Sequence, residues 1–296
     1  MNKKYNFSKL FNGANIFSLI AVIISLMFIF FKGLNYGIDF KGGTLIEIRT
    51  DKNINVTNIR DSLSSLQLGD INVKEFGKQG DFLIKIEKTF GKDKGFTKEI
   101  KSKISNNLQQ EVNFRRVENV GPKVSSELLQ KGLTAIILSL AAMLFYIWIR
   151  FEWQFSLGSI IALIHDVTIT LGIFSILSFE INLSIVAAVL TIVGYSMNDT
   201  VVIFDRIREN LLKYSKISTN EIADISINET LSRTIITSAT TLLALFSIFI
   251  LGGEILRGFS FAMILGVLIG TYSSIFVASP VLNYFKVTQK TLIKEE

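Results

Sequence analysis

Cysteine is missing from this sequence of 296 residues, and histidine occurs once, at His165. Without cysteine the chain can form no disulfide, no thiol nucleophile and no cysteine-ligated metal cluster. A single histidine also excludes metal sites built from several histidines, and it leaves a Ser/His/Asp catalytic site possible only around that one ring. We therefore expect neither a metal ion nor a cofactor.

Charged residues and proline are also scarce, at 19% of the chain and two residues respectively. Soluble proteins carry roughly 25% charged residues. Apolar residues make up 49% of the chain, and they fall in runs long enough to cross a bilayer, which takes about 20 residues. This composition excludes a disordered chain and predicts an integral membrane protein.

Six apolar runs predict six transmembrane helices, at residues 14–31, 133–149, 155–178, 183–204, 234–251 and 259–285. The first run follows a basic segment, as a cleavable signal peptide does, but no A-x-A cleavage site follows it. We interpret this run as a permanent signal anchor. No ATP-binding G-x-x-x-x-G-K-[ST] motif and no protease or hydrolase motif occurs, so we expect a non-enzymatic protein that takes energy from a partner or from the membrane gradient.

Basic residues in short loops predict the orientation in the membrane. The only basic residue in the loops at 179–182 and 252–258 is Arg257, and this scarcity places both loops outside. The expected division is a cytoplasmic N-terminus with helix 1 (1–31), a periplasmic domain (32–131), helices 2–6 (132–285) and a cytoplasmic tail (286–296). The ends predicted to be cytoplasmic carry Lys3, Lys4, Lys9, Arg150, Arg206, Arg208, Lys213, Lys216, Lys286, Lys290 and Lys294.

The outer segment 32–131 predicts a small α+β domain. Strand alternation at 44–50, 71–76, 82–87 and 112–117 and helical spacing at 56–66 and 96–108 give the order β-α-β-β-α-β. That order is typical of a ferredoxin-like fold with a four-stranded antiparallel sheet. Its basic surface suits anionic lipid headgroups or another protein chain, and no motif for nucleic acid is present.

Four ionisable residues lie within or at the ends of the predicted spans, where such residues are rare and are candidates for function. His165 and Asp166 lie near the middle of the third span, Asp199 lies toward the inner end of the fourth, and Arg233 precedes the fifth. The structural alternatives are a packing hydrogen bond for the His165–Asp166 pair, an interfacial carboxylate for Asp199 and an interfacial anchor for Arg233. Above Arg233, a polar stripe predicts a water path or inter-helix hydrogen bonds, and it consists of Thr237, Thr240, Thr241, Ala244 and Ser247.

The sixth span carries a small residue at every fourth position. A ridge of this kind lets a second helix approach closely, so we predict that it is a helix-packing face. The ridge, named here the small-residue ridge, consists of Gly258, Ala262, Gly266, Gly270, Ser274 and Ala278.

Five stretches together resemble the SecD/SecF family of protein-translocase accessory proteins, on its SecF side, and the resemblance covers nearly the whole chain. They are Gly-Ile-Asp-Phe-Lys-Gly-Gly-Thr at 37–44, Val-Gly-Pro-Lys-Val at 120–124, Ile-His-Asp-Val at 164–167, the stretch 194–209 containing Asn-Asp-Thr, and Asn-Glu-Thr-Leu-Ser-Arg-Thr at 228–234. The family belongs to the resistance-nodulation-division superfamily, in which two six-helix halves form one unit.

The resemblance implies a subunit of the bacterial inner membrane that assists protein export by using the proton motive force. The implied partners are a SecD-like subunit, the SecYEG channel and an unfolded polypeptide in transit. The implied proton-relay residues are Asp199 and Arg233, with His165 and Asp166 matching a further family motif. Two alternatives stay open: an independent small-molecule efflux transporter of the same fold, and a membrane scaffold that transports nothing.

Overall fold

A computed structural model describes residues 5–51, 53–64, 68–75, 78–87, 94–110, 112–214, 216–285 and 287–292, without the side chains of 94–97, 254 and 290. The basic residues Lys3, Lys4, Lys286 and Lys294 lie outside the described residues. In chain order the elements are a 3-10 turn Ser8–Leu10, α1 Phe11–Phe31, β1 Asn35–Tyr36, α2 Ile38–Lys41, β2 Gly43–Arg49, α3 Val56–Ser64, β3 Ile71–Glu75, β4 Asp81–Ile86, α4 Lys94–Leu108, β5 Asn113–Val120, α5 Pro122–Arg150, α6 Trp153–Leu177, β6 Glu180–Ile181, α7 Leu183–Lys213, α8 Thr219–Leu251, α9 Gly253–Ser273, a π-helical turn Ser274–Ala278, α10 Ser279–Tyr284 and α11 Gln289–Leu292.

The six predicted membrane helices are confirmed, since six helices of the described residues are long and apolar enough to cross a bilayer. They are α1, α5, α6, α7, α8 and the continuous run of α9, the π-helical turn and α10. The contacts divide the chain into two units. The membrane-helix unit contains Met1–Asn35, Thr134–Phe179 and Ser184–Glu296, and the outer unit contains Tyr36–Leu133 and Glu180–Leu183.

Several helices are longer than their apolar runs: α5, for example, begins at Pro122, eleven residues before its run. The fifth run was expected to begin at residue 234, but α8 begins at Thr219, where the Ser218 side chain accepts a hydrogen bond from the Glu221 N–H at 3.3 Å. A serine cap of this kind satisfies one of the free N–H groups at the start of a helix, so the polar residues before 234 are helical as well. Similarly, α7 continues nine residues beyond the predicted end at 204, to Lys213.

Helix α1 is anchored along one narrow stripe. Its buried residues are Phe11, Ser18 and Ser25, which are seven residues apart and share a face. A Cβ at Gly172 of α6 would lie 2.3 Å from the Ser25 Cβ, so only glycine permits this approach. The other large apolar side chains of α1 are mostly exposed, as expected of a helix whose remaining faces meet lipid.

The predicted ferredoxin-like domain is confirmed in the outer unit. Its four-stranded sheet has the order β3-β4-β2-β5, and every neighbouring pair is antiparallel. Alternate strand residues such as Ile46, Ile48 and Ile84 are fully buried, and they pack with fully buried residues of α3 and α4. Period-two burial on the strands and helical spacing on α3 and α4 therefore produce one core, as the sequence pattern predicted.

The face of the sheet opposite this core carries an ion cluster. Arg49 donates two hydrogen bonds of 2.5 Å to the two carboxylate oxygens of Asp81, and Arg115 Nη1 lies 3.6 Å from Asp81 Oδ2. Asp81 is only 4% exposed. The bidentate hydrogen bond from Arg49 holds the pKa of the Asp81 carboxyl below its ordinary value, because it stabilises the charged form.

The connection between α6 and α7 belongs to the outer unit. The Gly37 N–H donates to the Ile181 carbonyl at 2.8 Å, and the Leu183 N–H donates to Asp39 Oδ2 at 2.9 Å. Glu180 forms an ion pair with Lys85 of β4. The short α2, which the sequence did not predict, thus presents Asp39 to the Leu183 N–H within the outer unit.

Candidate functional site: buried carboxylates of the membrane-helix unit

Asp166 is fully buried and accepts hydrogen bonds from three side chains. Ser196 of α7 and Ser273 of α9 donate to its Oδ2 at 2.6 and 2.8 Å, and His165 Nδ1 lies 2.9 Å from its Oδ1. Asp166 therefore connects α6 with both α7 and α9.

His165 is 5% exposed and stands between Asp166 and an aromatic ring. Its imidazole stacks on Tyr272, with ring centroids 6.1 Å apart, and its Nε2 has no hydrogen-bond partner in the structure. Tyr272 in turn donates to the Ala14 carbonyl at 2.9 Å and lies 3.0 Å from the Ser18 hydroxyl. Among the described residues, the imidazole therefore has one nitrogen engaged by Asp166 and one nitrogen without a hydrogen-bond partner.

Asp199, near the middle of α7, is 3% exposed. Among the described residues its Oδ2 has no hydrogen-bond partner, and the groups that act on the carboxylate are the charge of Arg233 and the hydroxyl of Thr271. Burying a charged carboxylate without full compensation is costly. Asp199 thus has fewer hydrogen-bond donors than Asp166, which has three.

Arg233 lies fourteen residues after the start of α8 at Thr219, which is about 21 Å along the helix axis at 1.5 Å per residue. It is exposed in this single chain. The sequence placed it at the beginning of a span, whereas the structure places it well inside a helix. Its charge acts on Asp199 of the neighbouring α7. Among the described residues no direct ion pair joins the two side chains, so Arg233 acts on Asp199 through its charge alone.

The polar stripe above Arg233 forms bonds within its own helix. Thr237 Oγ1 donates to the Arg233 carbonyl at 3.0 Å, and Thr240, Thr241 and Ser247 likewise donate to carbonyls of α8. In contrast, Ser238 on the buried face of α8 lies 2.7 Å from Thr271 of α9. An inter-helix hydroxyl contact therefore occurs at Ser238, which does not belong to the predicted stripe.

The small-residue ridge lies against α7. A Cβ at Gly266 would lie 2.2 Å from Ile192 Cγ1, and a Cβ at Gly270 would lie 3.0 Å from the Ser196 Cβ. Gly258 is nearer the start of the helix, where its Cβ would make an ordinary contact of 3.4 Å with Ile185, and Ala262 is fully buried. The ridge therefore allows a close approach of α9 to α7, and Gly270 meets Ser196, the α7 donor to Asp166.

A second polar network joins the C-terminal half of α7 to the first half of α8. Arg206 donates to Glu229 at 2.6 Å, and Asn210 donates to Ser226 and to Glu229, each at 2.9 Å. Arg206 also pairs with Glu209 at 2.7 Å. This network fixes the two helices that carry Asp199 and Arg233.

Three residues of the site were not predicted from the sequence: Ser196, Thr271 and Ser273. Serine and threonine are common in membrane helices, where they usually bond to their own backbone, so no sequence signal separates these three from the others. Within the described part of the chain, no group of three or more His, Asp or Glu residues is placed to hold a metal ion.

Comparison with known proteins decides the family. Residues 100–288 match the family model "Protein export membrane protein SecD/SecF, C-terminal", and residues 28–54 match the "SecD/SecF GG Motif". The protein translocase subunit SecF of Rickettsia bellii is 46% identical over 272 residues, which cover 91% of this chain and 89% of the relative. The chain belongs to the SecD/SecF family. SecF of Cereibacter sphaeroides is 43% identical over 279 residues, covering 92% of this chain and 86% of the relative.

Solved structures support membership of the SecF branch. The crystal structure of SecDF, a translocon-associated membrane protein from Thermus thermophilus, matches with a TM-score of 0.87 at 35% identity. SecDF in its super-membrane-facing form matches with a TM-score of 0.72 at 34% identity. The alignments cover 96% and 97% of this chain, which spans 39% of each SecDF chain. The chain is therefore an accessory subunit of the Sec protein translocase and a transport component.

Proposed function

We propose that this SecF-family chain helps to drive protein export across the bacterial inner membrane by using the proton motive force. It acts with a SecD-like subunit and the SecYEG channel on an unfolded polypeptide in transit, and both of its termini are cytoplasmic. Asp199 and Arg233 form the proton-exchange pair, and His165 with Asp166 forms a second part of the relay. The outer unit moves with the membrane helices.

The observation that carries this proposal is the unpartnered carboxylate oxygen of Asp199. The residue is buried in a membrane helix, yet only the charge of Arg233 and the Thr271 hydroxyl compensate it. A buried carboxylate with an unpartnered oxygen can take up a proton there without breaking a hydrogen bond, which suits it to proton exchange. When Asp199 takes up a proton, its attraction to Arg233 disappears and the packing of α7 against α8 changes.

The energy available from protons is sufficient for such a change. One elementary charge crossing 100 mV releases roughly 2.3 kcal/mol. A two-state element needs about 5.5 kcal/mol to move from 1:99 to 99:1. Two or three protons per cycle would therefore bias the conformation almost completely, without an ATP site in this chain.

The exposure of Arg233 favours a second six-helix unit that covers this face of α8. Arg233 is exposed in the single chain and lies directly before the apolar part of α8, and an exposed arginine next to lipid is costly. Membrane transporters built from two parallel repeats place their sites at the repeat interface. A SecD-like half covering this face would remove Arg233 from lipid.

Two other functions fit the chain less well. A small-molecule efflux transporter of this fold would need a larger outer region with a drug-sized pocket, whereas the outer unit here is a single ferredoxin-like domain. A scaffold without ion coupling would have no use for a buried carboxylate with an unpartnered oxygen, which costs stability and adds no contact.

Replacement of Asp199 by asparagine tests the proposal. Asparagine keeps the size and the hydrogen-bonding ability of the side chain but cannot gain or lose a proton. We expect the Asp199→Asn complex to assemble normally and to lose its response to the gradient. The assay is export into inverted membrane vesicles, with the proton gradient first imposed and then collapsed.

The matched control is Asp205→Asn, which removes another carboxylate of α7. Asp205 is exposed and pairs with Arg150 at 2.8 Å, so its loss should leave the gradient response intact. Arg233→Lys is a companion variant that keeps the charge and loses the planar donor geometry. If the Asp199→Asn complex responds to the gradient as fully as the parent, Asp199 does not exchange protons.

A further inference from the structure

Helix α9 stands between the two buried carboxylates. Its Ser273 donates to Asp166 of α6 at 2.8 Å, and its Thr271 acts on Asp199 of α7 and lies 2.7 Å from Ser238 of α8. Residues two apart in an α-helix point about 200° apart, so these hydroxyls lie on opposite faces of α9. Any rotation of α9 about its own axis therefore changes the surroundings of both carboxylates at once.

The segment after Ser273 is the π-helical turn Ser274–Ala278. Two local features stabilise it. Pro280 has no N–H to donate to a carbonyl of the preceding turn, and the Ser279 hydroxyl donates to the Ser274 carbonyl, five residues earlier, at 2.8 Å. A π-helical turn contains one residue more than an α-helical turn, and such turns occur frequently at functional sites.

The π-helical turn is also held from both sides. The Ser274 hydroxyl lies 2.8 Å from the Thr200 hydroxyl of α7, adjacent to Asp199 in the sequence. On the α6 side, a Cβ at Gly158 would lie 3.0 Å from the Ala278 carbonyl oxygen. Because a hydroxyl pair joins the turn to α7 and no side chain separates the backbones of Gly158 and Ala278, a change at α7 or α6 has to displace the turn.

We propose that the segment Thr271–Ser274 of α9 couples the two carboxylates, with Ser273 as the positioning residue for Asp166. This inference rests on the proposed exchange of protons at Asp199. When Asp199 loses its charge, Thr271 loses its charged partner, the segment Thr271–Ser274 turns as the extra residue of the π-helical turn moves into it, and Ser273 withdraws from Asp166. Movement of that extra residue toward the N-terminus rotates each residue that it passes by about 100°, which is enough to exchange one face for another, while the earlier part of α9 with Gly266 keeps its packing on Ile192.

The titratable and charged groups around this segment are few. Among the described residues, His165 lies beside Asp166 on α6, Tyr272 of α9 stacks on His165, and Arg233 of α8 acts on Asp199. Ser196 is the α7 donor to Asp166 and lies three residues from Asp199. A change in charge at Asp199 can therefore reach Asp166 along α7 itself or through α9, and the two routes use different serines.

Infrared difference spectra separate these routes. The full chain, reconstituted in vesicles with its SecD-like partner, is measured while the pH is lowered, and the carboxyl bands are assigned with Asp199→Asn and Asp166→Asn. In the parent complex we expect the Asp166 band to shift as Asp199 is protonated. In Ser273→Ala the Asp199 band should be unchanged and the accompanying shift of the Asp166 band should be lost.

Two controls match the Ser273 variant. Ser260→Ala removes an equally buried hydroxyl of α9 that donates only to carbonyls of its own helix, at 2.7 and 3.2 Å, and it should leave both bands coupled. Ser196→Ala removes the other hydroxyl donor to Asp166 Oδ2 and should also preserve the coupling. Pro280→Ala keeps every hydroxyl but supplies the missing backbone donor, so the π-helical turn should relax and the coupling should be lost.

The outcomes are distinct. A full Asp166 shift in Ser273→Ala or in Pro280→Ala overturns the coupling through α9. If the shift of the Asp166 band is lost in Ser196→Ala alone, the coupling runs along α7, and the proposed coupling through α9 is overturned as well. An Asp166 band that stays still in the parent while Asp199 is protonated also refutes the coupling but leaves the proposed function standing. An Asp199 band that never changes contradicts the proposed function itself.

Discussion

Replacing Gly266 by alanine should destabilise the membrane-helix unit by inserting one methyl group between α9 and α7. The new Cβ would lie 2.2, 2.5 and 2.9 Å from Cγ1, Cδ1 and Cγ2 of Ile192. Favourable carbon–carbon contacts begin at about 3.5 Å, so the shortest of these overlaps by about 1.3 Å. Two of the three atoms are bonded directly to the Ile192 Cβ, and rotation of the side chain cannot remove both overlaps.

The expected cost is about 1–3 kcal/mol, which is the usual range for an extra methylene in a packed core. Alanine has a higher helix propensity than glycine by roughly 1 kcal/mol, and this gain offsets part of the cost. The assay is unfolding of the purified full chain in mixed micelles by titration with a denaturing detergent. Gly13→Ala in α1 is the matched control, because a Cβ there has nothing within 4 Å.

A second substitution identifies the cause. Ile192→Ala removes all three atoms that the new methyl group would meet, and by itself it should cost about 2–5 kcal/mol. If the overlap is the cause, the double variant should be more stable than the sum of the single effects by about 1 kcal/mol or more. The reasoning is refuted if Gly266→Ala changes the free energy of unfolding no more than Gly13→Ala does. It is also refuted if the effects of Gly266→Ala and Ile192→Ala on the free energy of unfolding are strictly additive.

Two further predictions concern the outer unit. Asp81→Asn should remove an acid-sensitive contribution to the stability of the outer unit. Because Arg49 lowers the pKa of Asp81 in the folded state, the stabilisation by this carboxylate is complete above about pH 4, its unfolded pKa, and is lost as the pH falls through the lower folded value. Hydrogen exchange of β2 and β4 in the full chain, followed against pH, measures this contribution. Gly43→Ala should destabilise the same sheet, because φ is +126° and a Cβ would lie 2.6 Å from a β4 carbonyl oxygen, whereas Gly121→Ala, with open space, should have no comparable effect in that measurement.

The fold followed from the sequence where burial repeats with a simple period. Strands β2 and β4 alternate buried and less buried residues, and α3 and α4 bury residues three or four apart, so both element types were predictable. Helix ends were less predictable, because α7 and α8 continue past their apolar runs into polar segments. In those polar segments the helices are stabilised by the Ser218 cap and by the Arg206–Glu229 pair instead of by apolar contacts.

The site was predictable only for its ionisable members. His165, Asp166, Asp199 and Arg233 are conspicuous because charge in an apolar run is costly, and the structure brings Arg233 to act on Asp199. Ser196 and Ser273 were hidden, because a hydroxyl in a helix usually bonds to the carbonyl four residues earlier. Whether it turns to a neighbouring helix depends on how closely the helices approach, which only the packing of Gly266 and Gly270 reveals.

The two buried carboxylates differ in a way that favours different tasks. Asp166 has donors from α6, α7 and α9 on both of its oxygens, so a change in its charge would disturb three helices together. Asp199 has one oxygen without a partner, and its main compensation is a single arginine on α8. Protonation therefore costs fewer contacts at Asp199 than at Asp166. We expect Asp199 to receive the proton, since its oxygen without a hydrogen-bond partner can accept one without breaking a contact. We expect Asp166 to hold α6, α7 and α9 together until the segment Thr271–Ser274 turns, since both of its oxygens already accept hydrogen bonds.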